Sequence, residues 1–367
     1  MTAGCFRAVN WEVRRGGDSG NYALGANVIA VAGLLRKPFH PAISLESMSP
    51  RSLFAFACLL SSSVVVFAED KKPEEPAFID VASAGPDFAV QGEYVGDSCA
   101  AQVIALGAGK FHIVGWTKGL PGVAADAEKK IEVDAERAGD KVMFDGGGWK
   151  GEIDGGQLRG TNQDGKSWEL RKTERISPTL GAKPPEGAVV LFDGTNADAW
   201  QNGKMDERKL LFCGTKSKQA FGDATIHVEF ITPFKPTARG QARGNSGVYV
   251  QDRYECQVLD SFGLKGENNE TGGVYHTSKP LLNMCFPPLS WQTYDIDFEA
   301  ARWDAGGQKT KNAVITVRLN GVLVQDHVEI PQPTPGGQKE TPAAGVIQLQ
   351  GHGNPVFFRN VWVVEKK

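Results

Sequence analysis

The run "RGNSGVYVQDRYECQVLDS", Arg243–Ser261, decides how the rest of this chain is read. Side chains along a strand point alternately to opposite faces. In "RYECQVLDS" that places Arg253, Glu255 and Gln257 on one face and Tyr254, Cys256 and Val258 on the other. The second set reads as core. Asp260 breaks the alternation at the strand end, where a bulge or turn could swing it back. A solvated sheet face could carry such polar residues, and so could the floor of a polar cleft.

Two further segments repeat the pattern. In "VIQLQGHG", Gln348, Gln350 and His352 share a face opposite Ile347 and Leu349. In "VFFRNVWVV", Phe357 and Arg359 oppose Phe358 and Trp362. Amides and an imidazole in series are unusual for a plain surface, where Lys, Glu and Thr are commoner. The cleft alternative therefore predicts that the strand of Glu255 runs beside that of Gln350 and His352, both polar faces opening into one concavity.

Working outward, "AVVLFDG", "ATIHVEFITPF", "SGVYVQ", "WQTYDIDFEA", "NAVITVRLNGVLVQDHVEI" and "VFFRNVWVVEKK" read as long strands, with a hairpin turn at Asn320–Gly321. No amphipathic helix pattern appears beyond residue 188. Many long antiparallel strands without helices predict a β-sandwich of the jelly-roll kind over 188–367. Upstream, 91–175 shows shorter alternating segments such as "KFHIVGW", "DKVMFDG" and "SWELRKTE", separated by Gly-Gly and Asp-Gly turns. This predicts a small antiparallel β-domain, a meander or little barrel. "ISPTLGAKPPEG", 176–187, reads as a proline-stiffened linker, and the charged "EDKKPEEP" opens another over 69–90. The whole is an all-β protein.

"MSPRSLFAFACLLSSSVVVFAEDKK" has an arginine, a short apolar run and small residues before Glu69, the layout of a secretory signal at 48–68. The run is short for a membrane span. Its internal position predicts that Met48 is the true start and 1–47 a mis-called extension. The expectation is a periplasmic or secreted protein with no membrane span once the signal is removed. Hydrophobic content of 41% and charged content of 23% are ordinary for a globular protein. A net charge of −3 gives no reason to expect nucleic acid as a partner. Beyond the signal, Cys99, Cys213, Cys256 and Cys285 fit no zinc spacing, and Cys256–Cys285 is the disulfide to test first.

The run from Gly244 to Ser261, followed by "GGVY", "PPLSWQTYDIDF", "LNGVLVQDHVEI" and "IQLQGHGNPVFFRNVWV", resembles the 3-keto-disaccharide hydrolase domain family (DUF1080). "LFDGTNADAW" looks like that domain's opening, so the resemblance covers about 188–367. It implies a concanavalin A-like sandwich and action on glucosides oxidised at C3, in secreted or periplasmic proteins of bacteria such as planctomycetes and Bacteroidetes. The extra front domain looks like the planctomycete arrangement. Where the family has a cysteine, within "NNETGG", this chain has Thr271. If that cysteine pairs with the one in "NMC", Cys285 has lost its partner.

A ketone at C3 makes the C2–H acidic; a base removes it, the C1 oxygen leaves by elimination, and water adds afterwards. Such a site needs a base of tuned pKa, a group that stabilises the enolate, and an acid for the leaving oxygen. Two-carboxylate hydrolysis needs a paired set instead. The catalytic candidates are Glu255, which with Gln257 matches the family's YExQ stretch, Asp260 and His352. Asn245, Arg253, Gln257, Gln350, Arg359 and His276 are candidates for binding sugar. A divalent metal could polarise the ketone, but no ligand spacing demonstrates one. Against each stands a plainer role: Asp260 as a turn cap, Asn245 as a turn former, Glu255 as a surface partner of Arg253. His227 reads as structural, His112 as a strand histidine and His327 as exposed, while Trp291 and Tyr294 are core or sugar-stacking. The alternatives for the whole protein are a non-catalytic carbohydrate-binding module and a structural cell-surface protein.

Overall fold

The computed structural model describes residues 76–123 and 130–366. The expected extension at 1–47 and signal at 48–68 lie outside the described residues. No described helix is long and apolar enough to cross a membrane.

The front segment forms eight strands: Gly92–Val95 (β1), Cys99–Gly107 (β2), Lys110–Thr117 (β3), Lys130–Ala138 (β4), Lys141–Gly146 (β5), Trp149–Asp154 (β6), Gln157–Thr161 (β7) and Ser167–Thr173 (β8). Each pairs antiparallel with the next, and β8 returns to β1 with Thr173 opposite Glu93. The meander therefore closes into a barrel, which removes every free edge. Phe111, Val142, Phe144, Leu158 and Leu170 fill it, each almost wholly buried. A Cβ at Gly151 would lie 2.1 Å from the Arg159 carbonyl and 2.6 Å from the Phe144 ring, so the β6–β7 contact requires glycine there.

Residues 76–90, expected to be a linker, are packed. Phe78 forms a β-bridge with Phe234, and the short helix Gly85–Val90 (α1) sets Phe88 edge-on to the same ring at 5.3 Å. Asp87 of α1 takes the Gly109 N–H at 2.9 Å and a bond from Arg137. Apolar residues between the charges made the difference.

The second region carries Val189–Phe192 (β9), Trp200–Gln201 (β10), Leu211–Phe212 (β11), Thr215–Phe221 (β12), Ala224–Ile231 (β13), Ser246–Val250 (β14) and Tyr254–Val258 (β15). Gln292–Glu299 (β16), Arg302–Trp303 (β17), Lys309–Lys311 (β18), Ala313–Leu319 (β19), Val322–Ile330 (β20), Gly345–Leu349 (β21) and Phe357–Glu365 (β22) follow. A five-stranded sheet orders β10-β12-β21-β14-β15. A seven-stranded sheet orders β11-β22-β13-β16-β19-β20, with β9 also on β22. Val248, Cys256, Val258 and Leu349 of the first meet Ile226, Val228, Ile296 and Phe298 of the second in one core. Each such side chain contributes about 1.5–3 kcal/mol on burial. This is the expected sandwich; among its described residues the helical content is one 3-10 turn, Gly240–Ala242. The Asn320–Gly321 turn has both residues at positive φ, 53° and 77°, as a two-residue hairpin requires. The described residues of barrel and sandwich belong to one compact unit.

The segment 176–187 also differs from a free linker. Its Gly181 N–H donates to buried Glu229, Thr179 to Asp295, and its Ala182 carbonyl accepts from Asn360 and Trp362. Inside this cluster His227 is fully buried, bonded to Asp295 at 2.6 Å and stacked on Trp362 at 4.9 Å. Burial opposes charge on both His227 and Glu229. The bonds of Asp295 and Glu229 nevertheless hold the His227 pKa above its ordinary value, and those of His227, Asn360, Arg359 and Gly181 bring Glu229 down to about 2.

The Cys256–Cys285 disulfide is not formed; both are free, buried thiols. Cys256 points between the sheets, whereas Cys285 lies against the Leu259 carbonyl, 3.6 Å from it. Thr271 donates to that same carbonyl, beside Cys285.

Candidate active site

Strands β14 and β15 are joined by Gln251, Asp252 and Arg253, the first two at φ 56° and 58°. This turn sets the register, so that Tyr249 lies opposite Glu255 and Gly247 opposite Gln257. On the other side of β14, Tyr249 faces Gln348 of β21; Gln348 faces Lys216 of β12, and Lys216 faces Gln201 of β10. One row of polar side chains thus crosses all five strands on the outer face. At about 4.8 Å per strand it runs roughly 19 Å.

Glu255 anchors one end of the row and is 1% exposed. Its Oε2 lies 2.7 Å from the Tyr249 hydroxyl, which is also 2.8 Å from the Pro335 carbonyl and accepts from Gln350 Nε2 at 3.4 Å. Gly247 makes room for the carboxyl: a Cβ there would stand 2.1 Å from Glu255 Oε1. The segment 331–344 covers this end. Thr334 Oγ1 accepts the Glu255 N–H at 3.0 Å, and Gly336 passes so near that a Cβ would meet the Tyr249 oxygen at 2.8 Å. Arg253 holds the segment by donating to Thr341 and to the Ala343 carbonyl, and Tyr254 by donating to Glu340.

Burial pushes the Glu255 pKa up to about 7, against the opposing hydrogen bond of Tyr249. That value suits a group that must both take and return a proton near neutrality. Burial and the neighbouring Glu255 raise the Tyr249 phenol well above its ordinary value, so it stays protonated. The geometry supports both states of the acid. Ionised, Glu255 accepts from the phenol; protonated, it can donate to the phenol oxygen while the phenol donates to the Pro335 carbonyl. Glu255 can therefore change its protonation state without leaving a buried charge unpaired.

Beside it stands a cluster of carboxamides. Gln257 Nε2 and Asn245 Nδ2 both donate to Gln241 Oε1, at 2.9 and 3.0 Å, and Gln241 donates to the Asn269 carbonyl. Asn245 Oδ1 and Gln350 Oε1 are buried without a protein partner. Unpaired acceptors of this kind are costly, and a ligand rich in hydroxyl donors satisfies them.

The structure therefore brings together Glu255, Gln257, Gln350 and Asn245. It places the other candidates elsewhere. Asp260 forms a buried ion pair with Arg243 at 2.6 Å; burial raises its pKa while Arg243 pulls it back. Arg253 turns to the covering segment, as described. Arg359 lies on the seven-stranded sheet, bonded to Glu229 and set 3.9 Å from the Trp291 ring centre. His276 is exposed on a loop at φ 54°, its ring 4.4 Å from that of Tyr275. His352 is exposed past the end of β21. Nor does β15 run directly beside β21, since β14 lies between them. The polar faces still agree because three antiparallel strands share one pleat. Tyr294 is core, His112 is half-buried against Asp134, and His327 is exposed.

The sequence pattern did not single out Tyr249, Gly247, Lys216 or Asp252. "YVQDRYE" carried the signal for the first: folded as a hairpin about Gln251–Arg253, it sets Tyr249 against Glu255. No group of three or more His, Cys, Asp or Glu side chains gathers in metal-binding geometry among the described residues.

Residues 187–364 match a family described as a 3-keto-alpha-glucoside-1,2-lyase-like domain. Similar solved structures include three from Parabacteroides distasonis ATCC 8503, each provisionally named a glycosyl hydrolase. One is 34% identical over 50% of this chain and 85% of that one, with a TM-score of 0.46. A second is 17% identical over 50% and 95%, with a TM-score of 0.36, and a third is 21% identical over 49% and 99%, with 0.35. No curated protein matches the chain.

Proposed function

Through residues 187–364 the chain belongs to the 3-keto-alpha-glucoside-1,2-lyase-like family, and from that premise we propose that it cleaves 3-keto-glycosides by elimination. Glu255 removes the C2 proton of a sugar oxidised at C3. The electrons pass into the enolate and return to re-form the C3 carbonyl as the bond from C1 to the leaving oxygen breaks; the leaving oxygen takes up the proton that Glu255 removed, and water then adds across the C1–C2 double bond, its oxygen to C1 and a proton to C2. Tyr249 holds Glu255 in place, donating to the carboxylate when it is ionised and accepting from it once it carries the proton. Gln350 and Asn245 offer carboxamides to the sugar hydroxyls. The proposal also places the mature protein in the periplasm or outside the cell, from the signal-like segment at 48–68.

One observation carries this reading: a single carboxyl with a pKa near 7, paired with a phenol. Two-carboxylate hydrolysis calls for a second acid acting with the first. Here the nearby carboxylates are engaged by cations, Asp260 by Arg243, Asp252 by Lys216 and Glu340 by Lys309. An elimination needs only the one base of tuned pKa.

The test is incubation of the purified protein with 3-keto-trehalose and with unoxidised trehalose, following released glucose. Release from the keto sugar alone is expected. Release from both sugars would replace elimination with ordinary hydrolysis. Binding with no release from either would make the sandwich a carbohydrate-binding module.

A further inference from the structure

Strand β15 is the last of the five-stranded sheet, yet its outer edge is not bare. Val274 forms a β-bridge with Cys256, and the Tyr275 N–H donates to the Glu255 carbonyl at 3.0 Å. The Gln257 N–H donates to the Gly273 carbonyl, also at 3.0 Å. Residues 273–275 therefore lie along β15 with Tyr275 opposite Glu255. Val274 is fully buried on the core side, so alternation turns Tyr275 to the outer face that carries the Glu255 carboxyl. Opposed residues on neighbouring strands hold their Cβ atoms about 4.5–5.5 Å apart. Glu255 thus stands between two phenols, Tyr249 on one side and Tyr275 on the other. The local sequence permits the approach: Gly272 lies at φ 90°, and a Cβ at Gly273 would stand 2.9 Å from the Asn268 carbonyl oxygen. Past Tyr275 the chain turns away at once, with His276 at φ 54° and the Thr277 N–H on the Val274 carbonyl at 2.8 Å.

The two phenols differ in what holds them. Among the described tyrosines, Tyr94, Tyr249, Tyr254 and Tyr294 each donate their hydroxyl to a protein oxygen. The hydroxyl of half-buried Tyr275 has no such partner, and unlike the unpaired oxygens of Asn245 and Gln350 it is not sealed from solvent. Its ring rests 4.4 Å from that of His276. Burial, then Glu255, and to a smaller degree Tyr275 itself raise the Tyr249 pKa, which places the second phenol within electrostatic reach of the first.

We infer that Tyr275 is the enolate-stabilising donor, its phenol O–H bonding the C3 oxygen of the substrate while Glu255 removes the C2 proton. The inference rests on the proposed elimination. As the C2–H bond breaks, its electron pair becomes the C2–C3 double bond and the carbonyl pair moves onto the C3 oxygen. The donor there gives up no proton; its hydrogen bond strengthens as that oxygen gains charge and weakens when the carbonyl re-forms. Such a bond raises kcat more than it lowers KM. The unpaired oxygens of Asn245 and Gln350 are acceptors, which suit sugar hydroxyls and not a developing oxyanion. C2 and C3 are bonded neighbours, so base and donor must stand side by side on one face, as Glu255 and Tyr275 do.

Tyr275→Phe keeps the ring and removes the donor. Steady-state kinetics of the full chain from pH 5 to 10 on 3-keto-trehalose and on p-nitrophenyl 3-keto-glucoside read the role. The variant's kcat should fall about a hundredfold or more on both substrates, with KM within about threefold of wild type. Its acidic limb should stay where the wild type has it, because the Tyr275 hydroxyl makes no bond to the Glu255 carboxyl. Unchanged circular dichroism and melting temperature would show that the loss is not one of folding. A loss seen on 3-keto-trehalose alone overturns the inference, since nitrophenolate departs without a proton and Tyr275 would then serve the leaving oxygen. A limb that moves overturns it too, by making Tyr275 a positioning residue for Glu255, as does a kcat within about threefold of wild type on both substrates. A wild type inert on both keto sugars sinks the proposed elimination and the inference with it; an active wild type with an unaffected variant sinks the inference alone.

Discussion

Removing one oxygen, Tyr249→Phe, separates a tuned base from a bystander carboxyl. The hydroxyl contacts Glu255 at 2.7 Å and the Pro335 carbonyl at 2.8 Å, so its loss takes a charge-assisted bond from the ionised acid and leaves the ring packed as before. Such a bond contributes about 1.5–3 kcal/mol, and one pKa unit corresponds to about 1.4 kcal/mol. The Glu255 pKa, about 7 in the wild type, should therefore rise by roughly one to two units. The sign follows from the role. The base works when ionised, so kcat/KM rises with pH through the pKa. The wild-type profile should have its acidic limb near pH 7, and the variant's limb should move up by one to two units. At pH 7 the variant retains between roughly a fifth and a fiftieth of the wild-type rate. If the phenol only tunes Glu255, the two rates converge above the variant's new limb. If it also positions the carboxyl for the C2 proton, the plateau itself stays lower. Steady-state kinetics on 3-keto-trehalose from pH 5 to 10 reads both. A limb that does not move would refute the assignment of Glu255 as base and of Tyr249 as its partner.

Glu255→Gln should lower turnover by about a hundredfold or more and yet stabilise the fold at pH 8. Folding raises this pKa from 4.5 to about 7, so stability is lost as pH climbs through that window, up to about 3 kcal/mol. Denaturant melts at pH 4 and pH 8 would show a gain confined to the higher pH. His352→Ala should change kcat/KM less than about threefold, because the side chain is exposed beyond β21; a hundredfold loss would place it in the reaction. Thr271→Cys should oxidise with Cys285, since both side chains meet the Leu259 carbonyl. Closing that loop should add about 3 kcal/mol, and thiol titration with and without reductant counts the bond. Acid should loosen segment 176–187: the Glu229 pKa is depressed to about 2, so its contribution is full above 4.5 and fades as pH falls below. Hydrogen exchange at Gly181 should accelerate between pH 4 and 2.5 more in the wild type than in Glu229→Gln.

Much of the fold was legible because it rests on alternation. Tyr254, Cys256 and Val258 face the core and Glu255 and Gln257 the opposite side, as the strand period requires. The Asn320–Gly321 hairpin and the glycine pairs of the barrel could be read from turn chemistry alone. The segments 69–90 and 176–187 could not be read that way. Charge and proline made them look like free linkers, but Phe78, Phe88, Thr179 and Gly181 find partners more than forty residues away in sequence.

The sequence by itself determined an all-β chain, the strand faces, the family resemblance, and Glu255, Gln257 and Gln350 as polar side chains opposite an apolar face. Those follow from local rules, since a pleat has a fixed period and a turn needs particular residues. Only the tertiary structure decided which of them act together. It placed β14 between β15 and β21, which brought Tyr249 against Glu255 and aligned Gln348 and Lys216 in the same row. It sent Arg359 to the other sheet and bound Asp260 to Arg243. It covered Glu255 with residues 331–344, and that burial is what raises its pKa toward neutrality. Strand order, ion pairing and desolvation depend on contacts between residues far apart in the chain, and no local pattern encodes them.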